Sequence, residues 1–185
     1  MPAIAIDRPD DVTSGLNVHH AQRPLQQISL GLLRIGFGWA LFWSGIDKIF
    51  GLGFATTPEQ SVLAGISPTK GFLSFGLPEG APAAALLKPL AGHPVADALF
   101  LLATVGAGLA LLLGIGTRVA SIGGGVLMLN LWFASLPLEY NPFLDQHLFY
   151  AIAALSVLAF DSGRYLGLGN AWRRLALVRA NRWLI

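Results

Sequence analysis

The chain has 185 residues, of which 54% are hydrophobic and only 12% charged, with a mean hydropathy of +0.62 and a formal net charge of +2. So small a polar share cannot cover a soluble domain, in which about a quarter of residues are charged. The absence of cysteine excludes structural disulfides, thiolate metal ligands, cysteine-held iron–sulfur clusters and a thiol–disulfide mechanism, so redox chemistry here needs a bound cofactor or a partner.

Residues 1–27 carry Asp7, Asp10, Asp11, His19 and His20 and no apolar stretch. They read as a flexible cytoplasmic tail, because a cleaved signal peptide needs a basic start and an apolar centre. Continuous apolar runs follow at 30–46, 95–116 and 119–136, with a shorter one at 147–160. About 20 apolar residues cross a hydrocarbon layer about 30 Å thick at about 1.5 Å per residue. The pattern predicts an all-α integral membrane four-helix bundle, a single domain over 28–163 with spans at about 28–50, 95–116, 118–138 and 143–161. The fourth span reaches full length only if residues 143–145 enter the interface.

The connection from 51 to 94 is too long for an idle loop in so short a chain. Pro58, Pro68, Pro78, Pro82, Pro89 and Pro94 punctuate it, yet apolar pieces remain at 62–66, 71–77 and 83–90. Short interfacial helices capping the outer end of the spans are expected, since irregular backbone is not tolerated against lipid at depth.

Counting four spans places Arg8, Arg23, Arg118 and the five arginines after residue 163 on one side. Lys48, Lys70 and Lys88 fall on the other, countered by Asp47, Glu59, Glu79, Asp97, Glu139 and Asp145. Basic loops stay inside, so both termini are expected in the cytoplasm and the protein in the cell membrane. Residues 164–185 form an arginine-rich cytoplasmic tail whose Trp172 and Trp183 suit an interface with anionic lipid. Nothing in the charge pattern or the motifs suits nucleic acid.

Helical spacing assigns the inward faces. Gly31, Gly38 and Gly45 recur every seven residues, beside Arg34, Leu41 and Lys48 at the same interval. Span two aligns Asp97, Leu101, Thr104 and Gly108, span three begins with Gly123–Gly125 and buries Asn130, and span four aligns His147, Ala151, Ala154, Leu158 and Asp161. The glycines read as helix contacts, the usual role of small residues in membranes.

Two polar clusters result. At the inner end Arg34 lies level with Asp161, and because an ionisable group in the bilayer costs about 3 kcal/mol, the two are expected to form a structural ion pair. The other reading has Arg34 reach the inner headgroups. At the outer end Asp47, Lys48, His93, Asp97, Glu139, Tyr140, Asn141, Asp145, His147 and Tyr150 gather near Trp39 and Trp43. Such a set suits either a polar substrate beside an aromatic slot or an ordinary interfacial belt of aromatics and charges. His93 and His147 lack ligand spacing, so neither a metal nor haem is expected. His147, close to carboxylates, reads as a hydrogen-bonding or proton-carrying group.

The stretch from Leu33-Arg34-Ile35-Gly36-Phe37-Gly38-Trp39 through Trp43-Ser44-Gly45-Ile46-Asp47-Lys48 to Thr56 resembles the opening span of DoxX/DoxD-like membrane proteins. Supporting stretches are Ser67-Pro68-Thr69-Lys70-Gly71-Phe72-Leu73, the turn Gly114-Ile115-Gly116-Thr117-Arg118, and Asn141-Pro142-Phe143-Leu144-Asp145-Gln146-His147. The resemblance covers about residues 28–169 and excludes both tails. It implies a bundle related to the DoxD subunit of thiosulfate:quinone oxidoreductase, which couples thiosulfate oxidation to quinone reduction with a second subunit. On that footing the catalytic candidates are Asp47, Lys48, Asp145 and His147, and the quinone-binding candidates are Trp39, Trp43 and Tyr150. Lys48 would hold the anionic donor, and Asp47, Asp145 and His147 would carry protons. The competing expectation is a non-catalytic accessory or scaffold subunit of a respiratory or oxidative-stress complex, and homo-oligomerisation stays open.

Overall fold

The structure, a computed structural model, describes the backbone from Asp10 to Ile185 and the side chains from Pro24 onward. The described residues are helical and contain no strand. Helix α1 runs Asp10–Phe50 and ends at Gly51, whose φ of +66° closes the last turn by a 2.7 Å bond from its N–H to the Asp47 carbonyl. A side chain is barred there, since a Cβ on Gly51 would lie 2.6 Å from the Pro58 Cα. Of the tail expected over 1–27, residues 1–9 lie outside the described residues, and residues 10–27 belong to helix α1.

The connection folds as expected into short helical pieces: Pro58–Gln60, Val62–Ala64, a π-helical turn Phe72–Gly76, α2 at Ala84–Leu87 and Lys88–Leu90. Its anchor is Asp97, whose carboxylate accepts from the hydroxyls of Ser67 (2.8 Å) and Thr69 (2.6 Å). Helix α3 (Pro94–Leu101), a π-helical turn (Leu102–Gly106) and α4 (Ala107–Leu113) then form one rod. His93 opens the rod by accepting the Val95 N–H, and Gly114, at φ +75°, closes it. Helix α5 spans Thr117–Ala134 and α6 spans Gln146–Ala159. Residues beyond α6 form α7 (Gly169–Trp172) and α8 (Ala176–Ala180).

Helix α1 packs on α4 and α6, and α5 packs between α4 and α6, so each long helix touches its sequence neighbours and the first touches the last. The expected glycine face is where the closest approaches occur. A Cβ on Gly38 would meet Leu111 at 2.8 Å, one on Gly45 would meet the Thr104 hydroxyl at 2.7 Å, and one on Gly108 would meet the Phe42 backbone nitrogen at 2.5 Å. Phe37, Leu41, Leu111, Met128, Ala154 and Val157 fill the core between these contacts.

Two segments, Pro24–Phe50 with 27 residues and Pro94–Leu113 with 20, are long and apolar enough to cross a bilayer. Helix α5 has 18 residues and α6 only 14, shorter than the span expected at 143–161, because residues before Gln146 turn into a capping loop. Asn130, expected inside, is exposed on α5 and donates its side-chain amide back to the Val126 carbonyl at 2.8 Å.

The predicted pair between Arg34 and Asp161 does not form. Arg34 is fully buried and donates to backbone carbonyls: Leu111 and Leu112 (3.0 Å) at the end of α4, and Tyr165 (2.9 Å) and Leu166 (3.0 Å) beyond α6. The last carbonyls of a helix lack i+4 donors and carry the negative end of its dipole, so both terminal nitrogens of the guanidinium are satisfied without a carboxylate, and only the buried Nε has no partner. Asp161, in a left-handed conformation at φ 49°, turns instead to Arg164 (2.9 Å) and Arg173. The arginine-rich residues 164–185 fold back on the helices: Val178 is buried, Trp172 donates to the Leu184 carbonyl at 2.6 Å, and the Arg118 N–H bonds the Ile185 carbonyl at 3.1 Å. That last bond satisfies one of the orphan donors in the first turn of α5.

Candidate functional site

The end of α1, the start of α3 and the start of α6 meet at the pole opposite Arg34. Three carboxylates stand there, and each has a separate task. Asp97 holds the connection, as described. Asp47 is buried and accepts the backbone N–H groups of Ala55 (3.0 Å) and Phe54 (3.4 Å), which makes it the fastener of the loop after α1. Each oxygen of Asp47, read from the sequence as a proton carrier, thus accepts one backbone N–H. Asp145 caps α6 by accepting the Leu148 N–H at 3.0 Å, and its other oxygen lies 2.6 Å from His147 Nδ1. An ionised carboxylate only accepts, so the imidazole carries its hydrogen on Nδ1 and leaves Nε2 as the second functional atom.

His147 borders a cavity of about 340 Å³ between α1, the α3–α4 rod, α5 and α6. The aromatic walls are Phe37, Trp43, Phe100 and Tyr150, and the Tyr150 ring stacks on Phe37 with centroids 6.1 Å apart. Ser44, Thr104 and Gln146 add the remaining polar lining, although the Thr104 hydroxyl is already bonded to the Phe100 carbonyl at 2.8 Å. The volume lies within the range of about 300–1,000 Å³ usual for small-molecule sites, and an apolar aromatic wall with few polar groups is their usual chemistry. A neutral, flat ring carrying hydrogen-bond acceptors matches this lining.

The structure therefore brings His147, Trp43 and Tyr150 to one cavity, with Asp145 behind the imidazole. Trp39 is 52% exposed on the outside of α1 and touches the site only by stacking on Trp43, centroids 5.5 Å apart. Lys48 is half-buried, forms no ion pair among the described residues, and lines an adjoining groove of about 970 Å³ with Ser44 and Thr69. Glu139 and Tyr140 are exposed and outside the cavity. Among the described residues no group of three or more metal-ligating side chains forms.

Sequence reasoning passed over Phe37, Ser44, Phe100 and Gln146. A signal existed for the first two: Phe37, Leu41, Ser44 and Lys48 follow the i, i+4, i+7, i+11 spacing of one helical face, which the emphasis on glycines concealed. The DoxX family profile matches residues 29–136, more than half of the chain. The chain belongs to the DoxX family. Membership of this membrane protein family agrees with the apolar helices, and the match covers α1 from residue 29, the connection, the α3–α4 rod and α5. No curated protein and no solved structure matches the chain. The half of the site contributed by α6, including Asp145, His147 and Tyr150, lies beyond the matched residues of this DoxX protein.

Proposed function

We propose that this DoxX protein is the membrane subunit of a quinone-linked oxidoreductase, with the quinone headgroup seated in the aromatic cavity beside His147. The observation that carries the reading is the pairing of an aromatic slot with an oriented imidazole–carboxylate dyad, Asp145 to His147, at 2.6 Å. When bound, a quinone accepts two electrons and two protons. Tyr150 and Trp43 position the ring by stacking. With its Nδ1–H given to Asp145, neutral His147 only accepts at Nε2; once protonated it donates a hydrogen bond and then a proton from Nε2, and Asp145 stabilises the imidazolium charge from the Nδ1 side. Gln146 and Ser44 offer further hydrogen bonds along the cavity wall.

Thiosulfate is the proposed electron donor: two molecules joined to tetrathionate release the two electrons. Lys48 supports this part, since Asp47, Asp97 and Asp145 are each engaged by other donors and none pairs with the ammonium. The Arg118 and 164–185 end is proposed to face the cytoplasm, with a second subunit docking at the membrane.

Purified protein titrated with a chainless benzoquinone tests the headgroup site through tryptophan fluorescence. Saturable quenching that weakens in Tyr150→Ala is expected. Quenching that is absent, or indifferent to that substitution, overturns the reading in favour of the accessory subunit.

A further inference from the structure

The cavity adjoins a larger space. It shares Ser44, Phe100, Leu127, Leu131 and His147 with the groove of about 970 Å³ that runs along the face between the α3–α4 rod and α5. One end of the groove lies at Lys48 and Thr69, and the other reaches Ile115, Trp172 and Leu184 near the arginine-rich pole, so it follows the length of the bundle. Its floor consists of small residues, Ala103, Gly106, Ala107 and Ala110 on the rod and Gly123 on α5. Small residues in membranes normally bring helices into contact, yet a Cβ built on Gly123 meets nothing within 4 Å. The space is therefore left open where packing would ordinarily close it.

The π-helical turn Leu102–Gly106 divides the two compartments. It sends Thr104 to the cavity side and Leu102, Ala103 and Gly106 to the groove side. Such turns are rare and concentrate at functional sites, because the extra residue re-aims side chains within an otherwise regular helix.

We infer that the groove holds the long apolar chain of the molecule whose headgroup occupies the cavity, so that the ligand class is a long-chain quinone and not a free ring. The inference rests on the proposed headgroup site. Adjacency to that cavity selects the occupant: a phospholipid would place a charged, bulky head against Phe37, Trp43 and Tyr150, whereas a small neutral ring fits there with its chain leaving past the shared residues Leu127 and Leu131. Because lipid tails are as apolar as the groove, the chain gains from close fit and tethering to the head rather than from leaving water.

The test uses the full chain purified in mild detergent from membranes containing long-chain quinones. Gly123→Phe places a ring in the groove with no backbone clash, and Ile122→Phe adds a ring on the neighbouring exposed face as a control for folding. Long-chain quinone per protein is expected to stay at the parental level in Ile122→Phe and to fall about tenfold in Gly123→Phe, the scale of overpacking a closely fitted apolar surface. Quenching by chainless quinone is expected to be unchanged in both. Retention of parental quinone by Gly123→Phe overturns the chain site, as does a parent that retains only phospholipid while still binding the chainless ring. If the chainless ring fails to bind the parent, the headgroup reading falls and takes the chain site with it.

Discussion

His147 Nδ1 and the Asp145 carboxylate stand 2.6 Å apart at the first turn of α6, so one residue both starts the helix and fixes the orientation of the imidazole. Separating the two tasks is possible because asparagine caps a helix about as well as aspartate. Asp145→Asn is expected to leave the melting temperature near that of the parent while lowering quinone reduction, and His147→Gln to lower it by about 100-fold, the usual share of a positioned acid–base group. Turnover and thermal unfolding measured on the same preparations decide this. Unchanged turnover in His147→Gln would remove the imidazole from the reaction.

Arg34 is the largest side chain buried without exposure, and its partners are carbonyls contributed by two chain segments remote in sequence. Arg34→Leu leaves the Leu112, Tyr165 and Leu166 carbonyls without that donor, with an expected loss of about 3–5 kcal/mol, since each buried unsatisfied group costs about 1–3 kcal/mol. Asp161→Asn, which disturbs only the half-exposed contacts to Arg164 and Arg173, is expected to cost about 1 kcal/mol or less. Unfolding in detergent compares the two directly. Equal losses would restore the Arg34–Asp161 pair that the structure lacks.

Adjacent residues at the end of α1 are expected to fail in different ways. Asp47→Ala frees the Phe54 and Ala55 N–H groups and should expose the following loop to protease, with a stability loss of about 1–3 kcal/mol. Lys48→Ala removes a half-buried ammonium that forms no ion pair among the described residues, so protease resistance should persist while KM for thiosulfate rises. Thiosulfate kinetics indifferent to Lys48→Ala would withdraw the anion role.

The glycines divide into close contacts and open positions. Gly108→Ala drives a methyl into the α1 backbone at Phe42 and is expected to cost about 1–3 kcal/mol, whereas Gly123→Ala enters open space and should be neutral or stabilising. Melting temperatures of the two variants give the comparison, and a Gly108→Ala protein as stable as the parent would contradict the packing of α1 on α4.

Composition, apolar run length and helical spacing were sufficient for the class: an all-helical membrane protein whose Gly38 and Gly45 face a neighbouring helix and whose long connection breaks into short helical pieces. These properties are local, following from a 3.6-residue period and from proline and glycine punctuation, and both are written in the order of residues. His147, Trp43 and Tyr150 could also be singled out, because their residue types are unusual in apolar helices. What lay beyond the sequence was the assignment of partners. Charge alone suggested Asp161 for Arg34, yet the unsatisfied carbonyls that receive the guanidinium exist only once α4 ends at Gly114 beside the loop after α6. Asp47 and Asp145 read alike as outer carboxylates, and it was the local backbone, the loop turning back after α1 and the cap of α6, that aimed one at backbone N–H groups and the other at an imidazole. The groove belongs to the same category, since a void is a property of how helices meet, and no single residue encodes it.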